Sequence, residues 1–366
     1  VDAGILFNMT AYTVGGANTA VMVPDARIVV LNGLVDCAGP QNSCTVPPGC
    51  TQLPPVPVIS PGFVHPGSSV GLSEVDNDSG SQDGSLSSLA SDSKLDIRAC
   101  DGVRYHNFKG RHMLAAYGGG ITSLIAPPLG DGVIVGKSTA FWTRGTSFSD
   151  GGIVDTAALH GFIGNAAKNG GVTNSISGQF AEWRRLLAAN PTLVNETIAF
   201  HTDAADHIDA ILRLKIEAGL SNIMIVGGAE AHLLADRLAA ANVGVILLPP
   251  RAMPSSYQSW FGRADSAKLL SDAGVRVSIS ITTPENIRNI RFEAGIQLHR
   301  YGVKLEDALA MVTINPSRLF GLPAGVGEIV VGQKANLAAF TDDPLSFSDI
   351  SFVAIGDLVT CSPKQY

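Results

Sequence analysis

TIAFHTD (residues 197–203), AADHIDAILRLKIEAG (204–219) and NIMIVGG (222–228) follow one another as an apolar run, a helical pattern and a second apolar run. Short β-branched runs separated by a helix of this length read as a βαβ unit with parallel strands. The same alternation extends in both directions. Upstream, ITSLIAPP (121–128) precedes the helical SGQFAEWRRLLAAN (177–190). Downstream, VGVILLPP (243–250) leads to a helix through SAKLLSDAG (266–274), and VRVSISI (275–281) to NIRNIRFEAGIQLHRYG (286–302). With PGFVHPG (61–67) as the first strand and GVIVGKSTAFWTR (132–144) as another, the count approaches that of an α/β (β/α)8 barrel, here placed over residues 60–324. A doubly wound open sheet is the alternative; it usually carries a G-x-G-x-x-G turn after its first strand, and none is there.

The two ends lack a helical period. ILFNMTAYTV, TAVMVPDARIVVLNG and PPVPVIS before residue 60, and GEIVVGQKANLAAFT near the end, are strand-and-turn text. They are expected to form one composite β-sandwich from residues 1–59 and 325–366. Between the first barrel strand and the helix near Arg111 lies SEVDNDSGSQDGSLSSLASDSKLD (73–96), too polar to pack by itself and expected as a surface loop. Asp76 and Asp78 in it suggest calcium, but position 12 of an EF-hand loop falls on Ser87.

Composition narrows the function classes. In 366 residues, 45% are hydrophobic and 16% charged, against roughly 25% charged in an ordinary soluble domain. A net charge of −7 offers no surface for phosphates, so nucleic acid is not expected as a partner. No apolar run approaches the roughly 20 residues of a membrane span, and no membrane association is expected. The chain starts at Val1 rather than Met, as a processed or longer precursor would. Cys37, Cys44 and Cys50 crowd one Pro-rich loop, with Cys100 and Cys361 elsewhere; no pair has C-x-x-C spacing, so disulfides are the expectation, with one thiol left over. Sequons at Asn8, Asn77 and Asn195 add candidate glycosylation sites. Cysteines and sequons together point to a secreted, extracellular protein.

Three passages carry a family resemblance. PVPVISPGFVHPGSSVGLSE is similar to the entry of the amidohydrolase superfamily, where an apolar strand and Pro-Gly lead into a His-x-His pair. GGGITSLIAPP resembles its second barrel strand. DALAMVTINPSRLFGLPAGVGEIVVGQKANLAAFTDDPL resembles the passage from the last barrel helix into the closing strands. Within the superfamily the chain looks nearest to imidazolonepropionase-like proteins and fungal deacetylase-like carbohydrate esterases.

The resemblance implies a barrel enzyme with one or two divalent metals. The ligands would be the His-x-His pair, often a Lys or Glu from a middle strand, a His from each of the fifth and sixth strands, and an Asp from the eighth. Residue by residue, the pair here is His65 and Gly67, the fifth-strand His is His201, the sixth-strand position is Gly227, and the eighth strand offers Thr282 or Thr283. Trp142 falls near the middle-strand position, with Lys137 close by. Period-two spacing puts residues 65 and 67 on one strand face, so the second ligand is missing where the motif needs it. Two histidines do not hold zinc firmly, and Thr cannot replace an Asp as proton acceptor.

The expectation is therefore an amidohydrolase relative that has lost the family's metal-dependent hydrolysis and serves as a ligand-binding or structural subunit. No cofactor is then expected. Its partners would be a small molecule in the barrel mouth, a second copy, or a catalytic partner half. The alternative is a hydrolase of amide, cyclic amide or N-acetyl bonds, acting on C–N bonds other than peptide bonds at a reduced or rearranged zinc site. His65, His201, Asp203 and Glu230 are the candidate catalytic residues, and His65 and His201 the ligands of any metal. Asp203 and Glu230 also suit helix starts, as does Glu285. His106, His112, His160, His207 and His299 read as helical or loop text without a role.

Overall fold

The computed structural model describes residues 5–15, 19–75, 77–85, 90–105, 110–169, 174–249, 253–254 and 256–361, without the side chains of 5–15, 19 and 169. Asp76 and His106 lie outside that set, and of Asn8 only the backbone belongs to it.

Both ends of the chain meet in one eight-stranded sheet. Its path runs Leu358–Cys361, Ile350–Ile355, Asn336–Phe340, Val58–Pro61, Ile5–Gly15, Thr19–Leu31, Leu34–Pro40, with Thr51–Gln52 added beside Ile5–Gly15. The hairpin before Leu34 turns on Asn32 and Gly33, both at positive φ (51° and 73°), the pair that a two-residue turn between twisted strands favours. From there the edge strand returns to the C-terminal segment: Val35 N donates to Gln333 O (2.9 Å) and Ala335 N to Gly33 O (2.9 Å). This return encloses a small core of Ile28, Val30, Ile59, Leu337 and Phe352. It arises within one continuous sheet, not from two separate stacked ones.

The middle of the chain carries two further sheets. In the larger, Leu159–Phe162, Thr197–Thr202, Asn222–Gly227, Gly244–Leu247 and Val277–Ile279 pair in parallel in chain order. In the smaller, Phe63–Pro66 pairs in parallel with Ile121–Ala126. Helices follow the strands. Ala205–Ala218 buries Ile208, Ile211, Leu212 and Leu214 against the sheet and stops at Gly219 in the left-handed region (φ 67°).

The segment expected as a third parallel strand behaves otherwise. Gly136–Lys137 runs antiparallel to Leu159–Phe162, and Thr139–Trp142 antiparallel to Ile121–Ala126, so one extended stretch sutures the two sheets against the expected direction. The opposite seam, between Phe63–Pro66 and Val277–Ile279, has no strand ladder among the described residues. Residues 311 and 312 bridge it instead: Val64 N donates to Val312 O (2.9 Å) and Ser278 Oγ to Met311 O (2.9 Å). Ser280 Oγ donates to Pro66 O and Ile281 N to His65 Nε2 across the same gap. The strands therefore do not form a continuous hydrogen-bonded ring.

The cysteine expectation holds in part. Cys37 and Cys44 form a disulfide (Cα–Cα 5.7 Å), while Cys50, Cys100 and Cys361 are free thiols, which corrects their place among the bridge candidates. Cys100 is buried in a short helical turn and Cys361 sits exposed at the end of an edge strand, so neither has a sulfur to meet.

Helix Ile290–Tyr301 is tied to the loop before Ile350–Ile355 by one buried cation. Arg291 donates to Pro344 O (3.2 Å), Ser346 O (2.9 Å) and Ser348 O (2.8 Å) while lying over the ring of Phe292. Burial brings its pKa down to about 10, still charged at neutral pH. Arg291→Met leaves three carbonyls without their donor and is expected to cost about 2–3 kcal/mol in urea unfolding, as loss of hydrogen bonds to a buried charged group does.

Candidate functional site

A cavity of about 290 Å³ opens where the parallel strands end, lined among others by Gly67, His160, Phe162, His201, Ser280 and Thr282. They come from four strands or the residues just beyond them, Phe63–Pro66, Leu159–Phe162, Thr197–Thr202 and Val277–Ile279, the usual place for a site in this class of sheet.

His65 is fully buried, and its Nε2 accepts a hydrogen bond from Ile281 N (3.1 Å). A backbone N–H can only donate, so Nε2 holds the lone pair and Nδ1 carries the proton. That Nδ1 has no partner. Burial pushes the pKa of His65 down to about 3, and the ring is neutral. Two residues on, Gly67 has left the strand: its φ is +86° and its N donates to Ile125 O (2.7 Å). A histidine there would need the left-handed conformation that side chains avoid.

His201 comes from Thr197–Thr202, stacks on Phe162 (ring centroids 4.4 Å apart) and meets a second imidazole that sequence reasoning had set aside. His160 Nδ1 and His201 Nε2 are 2.9 Å apart. His160 is buried in strand Leu159–Phe162, not in loop or helix, and its Nε2 has no partner. The signal was the short run LHGF, whose period-two spacing puts His160 and Phe162 on one face. Burial lowers both pKa values, that of His201 to about 4 and that of His160 well below its usual range, with the neighbouring ring adding to the second. One nitrogen of this pair must be unprotonated for the bond to exist, so the two rings are never both cations.

Asp203 and Glu230 stand apart from this cavity. Asp203 Oδ1 accepts from Ala229 N (3.2 Å), and burial raises the pKa of its carboxyl. It lines a separate space of about 130 Å³ together with Gly227 and Arg263. A Cβ built on Gly227 would lie 2.7 Å from Asp203 Oδ1, so the carboxylate fills the room of a sixth-strand side chain. Glu230 accepts from Ala205 N (2.9 Å) and Phe261 N (3.3 Å), clipping a helix start to a loop. Lys137 pairs with Glu196 (2.9 Å), and Trp142 lies under Lys334; neither lines the cavity. Thr282 lines it, and Thr283 is exposed beside the first turn of Pro284–Asn289.

Strands, helices and a pocket at the strand ends define a TIM-barrel-like α/β protein. The Amidohydrolase family model matches residues 195–360. The amidohydrolase tasK of Hapsidospora irregularis is 27% identical over 331 residues, covering 71% of this chain and 32% of its own. This chain thus spans about a third of that relative's length. A crystal structure of an amidohydrolase from Thermotoga maritima MSB8 superposes with a TM-score of 0.83 at 20% identity, covering 98% of this chain and 100% of that one. The adenosine deaminase of Xanthomonas campestris with bound Zn gives 0.59 at 16% identity (99% and 94% covered), and the ochratoxinase of A. niger 0.60 at 11% (99% and 96%). The family model, the curated relative and the superposed structures all liken this chain to the amidohydrolase superfamily.

The residues present do not fit the metal that the superfamily implies. Zinc sites take three or four protein ligands through unprotonated nitrogen, oxygen or sulfur. Among the described residues no group of three or more His, Cys, Asp or Glu converges. In both histidines at family ligand positions, Nε2 is already engaged, by Ile281 N in one and by His160 in the other.

Two outcomes follow. Three imidazoles whose pKa values are lowered in the fold stay neutral in the native state while their unfolded counterparts take up protons below about 6.5. Stability is thus full above that pH and is lost as pH falls toward 4, and urea midpoints measured from pH 7 to 4 should drop steeply, with a shallower slope in His65→Gln. Gly227→Ala, at φ +97° and against Asp203, should cost about 2 kcal/mol, and Asp203→Ala in the same chain should return part of it.

Proposed function

We propose that this chain is a ligand-binding member of the amidohydrolase superfamily that has lost metal-dependent hydrolysis and serves as a binding or structural subunit. One observation carries the reading: each of the two surviving family histidines spends its Nε2 lone pair or proton on a hydrogen bond inside the protein. A metal would have to break the bond across the barrel seam to gain His65 and the imidazole pair to gain His201. The eighth-strand position holds Thr, which supplies no carboxylate to accept a proton or a metal.

A second reading, hydrolysis of a C–N bond other than a peptide bond, draws support from the His160–His201 pair at the cavity wall and from the hydrolase relatives. Elemental analysis of protein purified without chelator separates the two. The proposed reading expects well under one zinc per chain and almost no rise in melting temperature on adding zinc, since binding to the native state would raise it by mass action. Gly67→His with Thr283→Asp should restore little affinity, because residue 67 is at φ +86° and His65 remains bound to Ile281 N. Stoichiometric, tightly held zinc in the unmodified chain would overturn the proposal in favour of the hydrolase.

Secretion and glycosylation are part of the same proposal. The Cys37–Cys44 bridge supports an oxidising compartment, and Asn77 and Asn195 are exposed. Peptide mapping of the natural chain, with and without glycosidase, should find the bridge and at least one glycan; a reduced, unmodified chain would sink this part.

A further inference from the structure

We infer that the cavity at the strand ends takes an uncharged small molecule with an apolar body and a single hydrogen-bonding group, recognised by the His160–His201 pair. The inference rests on the ligand-binding reading above and deepens it.

Among the described residues lining the cavity none carries a charged side chain; Phe162, Val226 and Leu248 contribute apolar wall. A charged ligand would lose its water here and meet no opposite charge, the costliest kind of burial. A volume of about 290 Å³ suits a molecule of one or two rings.

Polar recognition then falls to few groups. Ser280 Oγ is committed to Pro66 O, and Ser68 Oγ accepts from Val70 N (3.3 Å). The imidazole pair is different in kind. If His160 Nδ1 donates to His201 Nε2, the outer nitrogens are an N–H on His201 and a lone pair on His160; if the bond runs the other way, the lone pair is on His201 and the N–H on His160. In either arrangement the neutral pair offers one donor and one acceptor, and the two exchange when the bonding proton crosses between the rings while His201 Nδ1 gives up a proton and His160 Nε2 takes one. It can therefore answer a hydroxyl or a carbonyl equally, without any net charge. His160 Nε2, buried and without a partner, is a polar group still to be satisfied.

Three probes share one apolar body and differ in charge: benzyl alcohol, benzoate and benzylamine. Each is titrated into the unmodified chain while the ring nitrogens of His160 and His201 are followed by long-range 1H–15N correlation. Benzyl alcohol should move both rings, with benzoate and benzylamine at least tenfold weaker. Ser69→Trp, which fills the cavity mouth, and His201→Phe, which removes the pair, should each weaken benzyl alcohol at least tenfold. Equal binding of either charged probe, binding of none, or unchanged binding in both variants would overturn the inference. The zinc count is a separate readout, so loss of the metal-free reading and loss of this one are told apart.

Discussion

The bond from Ile281 N to His65 Nε2 ties the first strand of the barrel-like unit to the residues just beyond the last, where no strand ladder joins them among the described residues. A parallel sheet that returns to its start must satisfy the backbone groups at its seam, since buried amides left unpaired are costly. Here residues 311 and 312 take some of them and side chains take the rest, Ser280 on Pro66 and His65 on Ile281. A histidine that closes a seam with its Nε2 lone pair has no second lone pair there for a metal. The contact thus helps to close the seam and at the same time engages the nitrogen that a metal at the mouth would need.

Neighbouring changes are consistent with that decision. With no partner ligand at position 67, the chain is free to leave the strand one residue after Pro66, and Gly67 turns with its N–H on Ile125 O. On the far side, Gly227 has no side chain and Asp203 swings its carboxylate into the vacated room, held by Ala229 N. A histidine at 227 would collide with that carboxylate, so the two positions exclude a sixth-strand ligand jointly. His201 pairs with His160.

Much of the scaffold was legible in the sequence because buried parallel strands and their helices write themselves in runs and periods: TIAFHTD, NIMIVGG and VGVILLPP contain the strands Thr197–Thr202, Asn222–Gly227 and Gly244–Leu247. The direction of residues 136–142 was not legible, since an apolar stretch reads alike in either direction and only its partners orient it. Nor was His160, because the four residues of LHGF give too short a pattern to tell a strand from a loop. The identities of residues 67, 227 and 282 or 283 could be compared with the family pattern residue by residue, but the engagement of the Nε2 of His65 and of His201 is a matter of three-dimensional hydrogen bonding, which spacing does not encode.

Why a cavity stands at the strand ends follows from how such a mouth is built. Its walls are strand ends whose inner neighbours, Phe200, Ile225 and Ile246, are core residues, so the opening persists as long as the sheet does. At Gly67 and Gly130, both on its wall and both at positive φ, large side chains are strained, so these two turns stay open. The pocket is therefore kept open by the sheet itself. The paired imidazoles remain as a neutral donor and acceptor inside it.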